Sequence, residues 1–149
     1  MEEGVIDLMN LIREEFALKD VDIRTYSPLA LAYIGDGIYE LVIRSILVGK
    51  GNAQANRLHK KASSLVNAAA QSEMIERLKE ELTEEELQVF KRGRNANSAT
   101  MAKHATVSDY RKATGLEALM GYLYLTGNLK RLIELVKLGL EDKICDTKN

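Results

Sequence analysis

Between Ser27 and Gly49 the chain reads S-P-L-A-L-A-Y-I-G-D-G-I-Y-E-L-V-I-R-S-I-L-V-G, and this run limits the possible folds more than any other. Ser27 suits a helix N-cap and Pro28 the first helical position, where its missing N–H costs nothing. From residue 29 to 43 nearly every side chain is apolar or small, and charge enters only at Asp36 and Glu40, with Arg44 next. A helix apolar on most sides is normally buried. The three charged residues lie four apart and so form one stripe. A buried acidic stripe is costly unless something offsets it. Arg44 could close an internal relay, or a cation from elsewhere, a metal ion included, could do the same. Gly35 and Gly37 flank Asp36, and each costs about 1 kcal/mol against alanine inside a helix. Two together point to close approach of another backbone or of a ligand.

The remaining composition fits an all-α fold in a single domain over residues 1–149. The chain is 46% hydrophobic and contains one proline and no tryptophan, so long stretches lack helix breakers. Net charge is −1, which makes any nucleic-acid binding a matter of local charge segregation. Cys145 stands alone, so no internal disulfide is possible, and a reduced, cytoplasmic setting is expected. No apolar run reaches membrane length, and M-E-E-G-V-I-D does not read as a signal peptide.

Taken in order, Val5 to Leu18 has helical spacing, and Lys19 to Thr25 reads as a linker. The central helix runs to about Val48, Gly49-Lys50-Gly51 ends it, and Asn52 can cap the next helix. Residues 53–82 predict one long helix or two joined near Gln71-Ser72. His59, among Arg57, Lys60 and Lys61, reads as a surface group. The glutamate-rich stretch 73–86 reads as a solvated face, and Thr83 with Glu86 forms a capping box for a short helix through Phe90. A second largely apolar helix covers 113–125, with Glu117 its only charge. Gly127 and Asn128 separate it from a last helix to about Leu140, and the tail 141–149 is expected to fray.

Residues 91–112 differ in character. Lys91, Arg92, Arg94, Lys103, Arg111 and Lys112 oppose one acid, Asp109. Asn95, Asn97, Ser98 and Thr100 add short hydrogen-bonding side chains, and no hydrophobic period runs from 92 to 100. The stretch therefore predicts a loop suited to phosphate oxygens.

Asp36 and Glu117 are each central acids of an apolar helix, flanked by Gly35 and Gly37 in one and by Gly115 and Gly121 in the other. Helices crossing at those glycines would bring both carboxylates into one small volume. A divalent cation relieves their repulsion, and Mg²⁺ prefers such oxygen ligands, supplemented by water and phosphate. The residues themselves thus suggest metal-dependent phosphodiester cleavage.

L-A-Y-I-G-D-G-I-Y-E resembles the ribonuclease III signature, and A-T-G-L-E-A-L-M-G-Y-L-Y-L-T-G resembles that family's second motif. F-K-R-G-R-N-A-N-S-A-T with Y-R-K-A-T-G-L-E-A-L is similar to the branch that has a catalytic domain without a double-stranded-RNA-binding domain. The resemblance covers about residues 25–130, with the catalytic core over about 25–140. It implies an all-α endonuclease that works as a homodimer and cleaves double-stranded RNA with Mg²⁺, leaving 5′-phosphate ends. It further implies a precursor of large-subunit ribosomal RNA as substrate, with a ribosomal-protein helper left open. Asp36 falls on the signature aspartate and Glu117 on the metal-binding glutamate. Lys91, Arg92, Arg94, Asn95, Asn97, Ser98, Lys103 and Arg111 are the expected RNA contacts.

The chain departs from the family pattern at two acids, where Ala32 and Thr114 stand instead. One or two metals per site therefore remain open. Glu40 could assist through water or simply pair with Arg44, and His104 has no assigned role. Two alternatives stay open: a catalytically inactive RNA-binding module on the same fold, and a helical interaction protein with no RNA role.

Overall fold

The structure is a computed structural model, and it describes residues 7–96 and 106–140. Helices α1 (Leu8–Phe16), α2 (Pro28–Gly49), α3 (Ala55–Leu65), α4 (Ala68–Leu78), α5 (Glu84–Arg94), α6 (Val107–Leu125) and α7 (Leu129–Gly139) follow in order. Short 3₁₀ turns at Ile23–Thr25 and Lys79–Glu81 complete the set, and there is no strand among the described residues. The fold is all-α, as the composition predicts.

The centre of the molecule is the pair α2 and α6, with α4 and α5 against α6. A Cβ on Gly35 would overlap the Glu117 carbonyl oxygen, and one on Gly121 would overlap the Leu31 carbonyl oxygen. The two helices therefore touch backbone to backbone, which only glycine permits. Gly37 meets nothing, so only one of the two glycines beside Asp36 serves packing. Gly115 faces away from α2 and receives the Phe90 ring of α5, with Gly93 set against its Cα.

The inner stripe of α2 is Leu31, Gly35, Tyr39, Ile43 and Leu47, all buried at a spacing of four. Asp36, Glu40 and Arg44 each lie one residue further on, about 100° around the helix. Hence the acidic stripe is not buried, contrary to the sequence reading: Asp36 and Arg44 are exposed and Glu40 is half-buried. Arg44 donates to Glu40 at 2.9 Å, an ordinary i,i+4 pair.

Other boundaries shift for local reasons. The break within 53–82 falls at Val66-Asn67, not near Gln71. Asn67 closes α3 by donating from Nδ2 to the Ser63 and Ser64 carbonyls, and opens α4 by accepting from the Ala70 N–H. The N-cap of α3 is Gln54, not Asn52, and it makes no side-chain cap bond. The capping box at Thr83 and Glu86 is present. Glu86 is also buried against Arg131 of α7, which donates to both its oxygens at 2.8 Å and to the Glu81 carbonyl. That guanidinium holds the Glu86 carboxyl below its ordinary range.

The predicted loop over 91–112 is in part helical. α5 continues to Arg94, and α6 begins at Val107, with Thr106 Oγ1 accepting from the Asp109 N–H. These turns have little apolar periodicity because much of their surface faces solvent. Asn97, Ser98, Thr100, Lys103 and His104 lie outside the described residues, as does the tail from 141. Gly127 takes the positive φ expected after a helix end, at +77°.

Candidate active site

Asp36 projects from α2 and Glu117 from α6, just where the glycine crossing draws those helices together. Their side chains meet in hydrogen-bonding contact. Burial pushes the Glu117 carboxyl up to about 8, and the negative charge of Asp36 adds to the shift. Gln71 acts in the opposite direction: its Nε2 donates to Glu117 Oε2 at 3.3 Å. Beneath lies Tyr39, 0% exposed, whose hydroxyl donates to Met74 Sδ at 3.3 Å. Burial raises the Tyr39 hydroxyl pKa, with Glu117 contributing, so it stays protonated.

Two carboxyl groups held together, one exposed and one half-buried, form an oxygen site whose full ionisation is opposed by their mutual repulsion. Such a donor set suits a hard divalent cation better than a soft one. No third acid, histidine or cysteine joins them among the described residues. Ala32 is buried in a small apolar cluster with Leu31, Val89 and Ala118, so this position contributes packing and no carboxylate. Thr114 donates its hydroxyl to the Tyr110 carbonyl within α6.

The basic residues divide into two kinds. Lys91, Arg92 and Arg111 are exposed and form no ion pair among the described residues. Arg94 is half-buried: it donates to Asn95 Oδ1 at 3.2 Å, and its guanidinium lies 5.7 Å from the Phe90 ring centroid. Lys112 pairs with Glu76 at 2.8 Å. Gly93, within the basic turn, abuts Gly115 of α6. Gly115 and Glu117 are two residues apart and so about 200° apart around the helix. The basic turn thus flanks the middle of α6 on a different face from the acids.

Sequence reasoning passed over Gln71, although its signal was there. Gln71, Met74, Ile75 and Leu78 follow the i, i+3, i+4, i+7 pattern of a buried face, and a lone amide in such a face needs a partner. It also passed over a second run of cations, Lys50, Arg57, Lys60 and Lys61, lining an open concavity between α2 and α3.

An all-α domain with paired acids on two crossing helices defines a class, and comparison with known proteins agrees. The chain belongs to the ribonuclease III family, whose Ribonuclease III domain matches residues 29–128. That membership supports an endoribonuclease. It is similar over most of its length to Mini-ribonuclease 3 of Clostridium tetani, with 48% identity over 84% of this chain and 82% of that one. Mini-ribonuclease 3 of Enterococcus faecalis is 50% identical over 77% of this chain and 89% of its own. A crystal structure of a Fusobacterium nucleatum protein superposes with a TM-score of 0.78 at 32% identity, covering 87% of this chain and 100% of that one.

Proposed function

We propose that the chain cleaves double-stranded RNA by Mg²⁺-dependent hydrolysis of the phosphodiester, with Asp36 and Glu117 as its catalytic, metal-holding acids. The observation that carries this reading is the direct contact of those two carboxylates across a glycine crossing. A bound divalent cation supplies activation of water and stabilisation of charge on the scissile phosphate. The chain's own groups do the rest. Asp36 stands on the solvent side and Glu117 behind it, so the phosphodiester approaches over α2. Tyr39 and Met74 close the floor against water.

Lys91, Arg92, Arg94 and Arg111, with Lys103, hold backbone phosphates, and Asn95, Asn97 and Ser98 serve 2′-hydroxyls. An A-form duplex hides its base edges in a deep, narrow groove, so recognition rests on shape, phosphate and 2′-hydroxyl. Lys50, Arg57, Lys60 and Lys61 extend the cationic surface. The substrate is a precursor of large-subunit ribosomal RNA, cut to 5′-phosphate ends, as the motif resemblance implies, and the lone Cys145 fits a cytoplasmic setting. The whole chain acts as one domain, with the catalytic core over about residues 25–140.

The working unit is a two-fold homodimer built on α2. Tyr33 is 84% exposed one turn before Asp36, and Leu41 on the same face is 51% exposed. Beside them an apolar groove of about 600 Å³ runs between α2 and α7, lined by Ile38, Leu41, Val42, Ile46, Leu129 and Ile133. A second copy covering this face sets two acid pairs against the two strands of one duplex.

The missing acids at Ala32 and Thr114 favour one rival, an RNA-binding module without catalysis. Incubating the protein with a structured ribosomal RNA precursor, with and without Mg²⁺, separates the two. Cleavage only with metal is the expected result. A mobility shift without cleavage selects the binding module, and neither effect leaves a helical interaction protein.

A further inference from the structure

We infer that Gln71 is a positioning residue for Glu117: its side-chain amide, fixed at the start of α4, orients the carboxylate that α6 brings to the site. The inference rests on the proposed metal-holding role of Glu117.

Gln71 is 3% exposed, and its neighbours on the buried face of α4 are Met74, Ile75 and Leu78. A buried amide is costly unless hydrogen-bonded. Its bond goes to a residue 46 positions away, with Nε2 donating to Glu117 Oε2 at 3.3 Å. The base of the amide is anchored, because Asn67 caps α4 one turn earlier with an Oδ1 to Ala70 N–H bond of 2.8 Å. The wall beside it is anchored too, because the Tyr39 hydroxyl of α2 donates to Met74 Sδ. Glu117 therefore has one oxygen tied to α4 while its carboxyl contacts Asp36. Without that tie, the side-chain torsions of a glutamate choose among several staggered arrangements.

The chemistry of the donor matters. An arginine or lysine in place of Gln71 would hold the carboxylate more firmly but would also neutralise it and compete with a metal cation. A neutral amide donates without supplying charge, so it orients the ligand and leaves its negative charge for the ion. Donors of this kind behind metal ligands typically change metal affinity or activity by about 10–100-fold when removed.

The experiment compares wild type with Gln71→Met, a variant of similar volume without the amide, and Gln71→Asn, whose amide is one methylene too short. Cleavage of duplex RNA is measured against Mg²⁺ concentration, and Mn²⁺ binding is measured by electron paramagnetic resonance without RNA. Both variants are expected to need about ten-fold more Mg²⁺ for half-maximal cleavage, to bind Mn²⁺ more weakly by a similar factor, and to keep the KM for RNA at saturating metal. Unchanged Mg²⁺ dependence and Mn²⁺ affinity, with only a lower melting temperature, would reduce Gln71 to a packing role and overturn the inference. If Gln71→Met does not fold, Gln71→Asn decides on the same readouts. Glu117→Gln runs alongside. Its normal cleavage and normal Mn²⁺ binding would overturn the site itself, whereas loss of both with unaffected Gln71 variants would overturn only the positioning role.

Discussion

Gly35 of α2 lies against the backbone of Gly121 in α6, and no side chain fits between them. This contact fixes the separation of the helices that carry Asp36 and Glu117. Gly35→Ala or Gly121→Ala forces the backbones apart, and each is expected to cost about 2 kcal/mol or more by overpacking. Gly37→Ala meets open space and removes a helix-interior glycine, so it is expected to raise stability by up to about 1 kcal/mol. Thermal melts of the three variants test the contrast. A stable Gly35→Ala protein would contradict the crossing.

The acid pair gives a pH signature. Folded Glu117 keeps its proton to about pH 8, whereas the unfolded side chain loses it near 4.5. The folded state thus binds the extra proton between those values. Its stabilising effect is complete below about pH 4.5 and disappears as pH rises through about 8. In chelator, the wild-type melting temperature should fall across this window, and Glu117→Gln should flatten the fall. Both Asp36→Asn and Glu117→Gln should abolish cleavage with the helical circular dichroism intact. Near-normal turnover in either would remove that residue from the metal site.

The exposed and the packed cations should behave differently. Lys91→Gln with Arg92→Gln is expected to weaken binding to many duplex sequences alike. It should also flatten the log-affinity against log-salt slope by roughly one unit per lost contact on the duplex-DNA scale. Arg94→Gln loses its contacts with Phe90 and Asn95, so a lower melting temperature should accompany any loss of RNA affinity. An unchanged salt slope in the Lys91/Arg92 double variant would remove this turn from the RNA surface.

Placing a charge on the outer face of α2 tests the assembly. Tyr33→Asp should convert the proposed dimer to a monomer by light scattering and abolish cleavage while the monomer keeps its helical content. Full activity from a strictly monomeric variant would end the dimer reading.

Arg131 carries a structural prediction independent of RNA. Arg131→Met leaves Glu86 buried without its cation, at an expected cost of about 3 kcal/mol. The pair's contribution is present above the ordinary glutamate pKa of 4.5 and lost as pH falls, because Arg131 lowers the Glu86 pKa in the fold. The wild-type advantage over the variant should therefore shrink in acid, as measured by urea melts.

The helices were legible wherever they bury a face. Ser27 and Pro28 announce α2, and Thr83 with Glu86 announces α5, because caps are local chemistry. What escaped was set by neighbours distant in the chain. Gly93 has the composition of a turn, yet it sits in a helix, where its missing Cβ leaves room for Ala118 and Gly115 of α6. Asp36 looked buried because α2 is apolar nearly all round, but its outer apolar side chains, Tyr33 and Leu41, are left exposed. The pairing of Asp36 with Glu117 could be read from their glycines. Gln71 went unread because an amide within an apolar stripe gains meaning only when a partner is known.

The back-to-back placement of Gly115 and Glu117 on α6 has an evolutionary consequence. On the proposed roles, drift at Lys91, Arg92 or Arg111 would alter how tightly duplexes of any sequence are held without moving either acid. A lineage could retune its overall grip on RNA through surface substitutions alone, while the reaction chemistry is inherited unchanged.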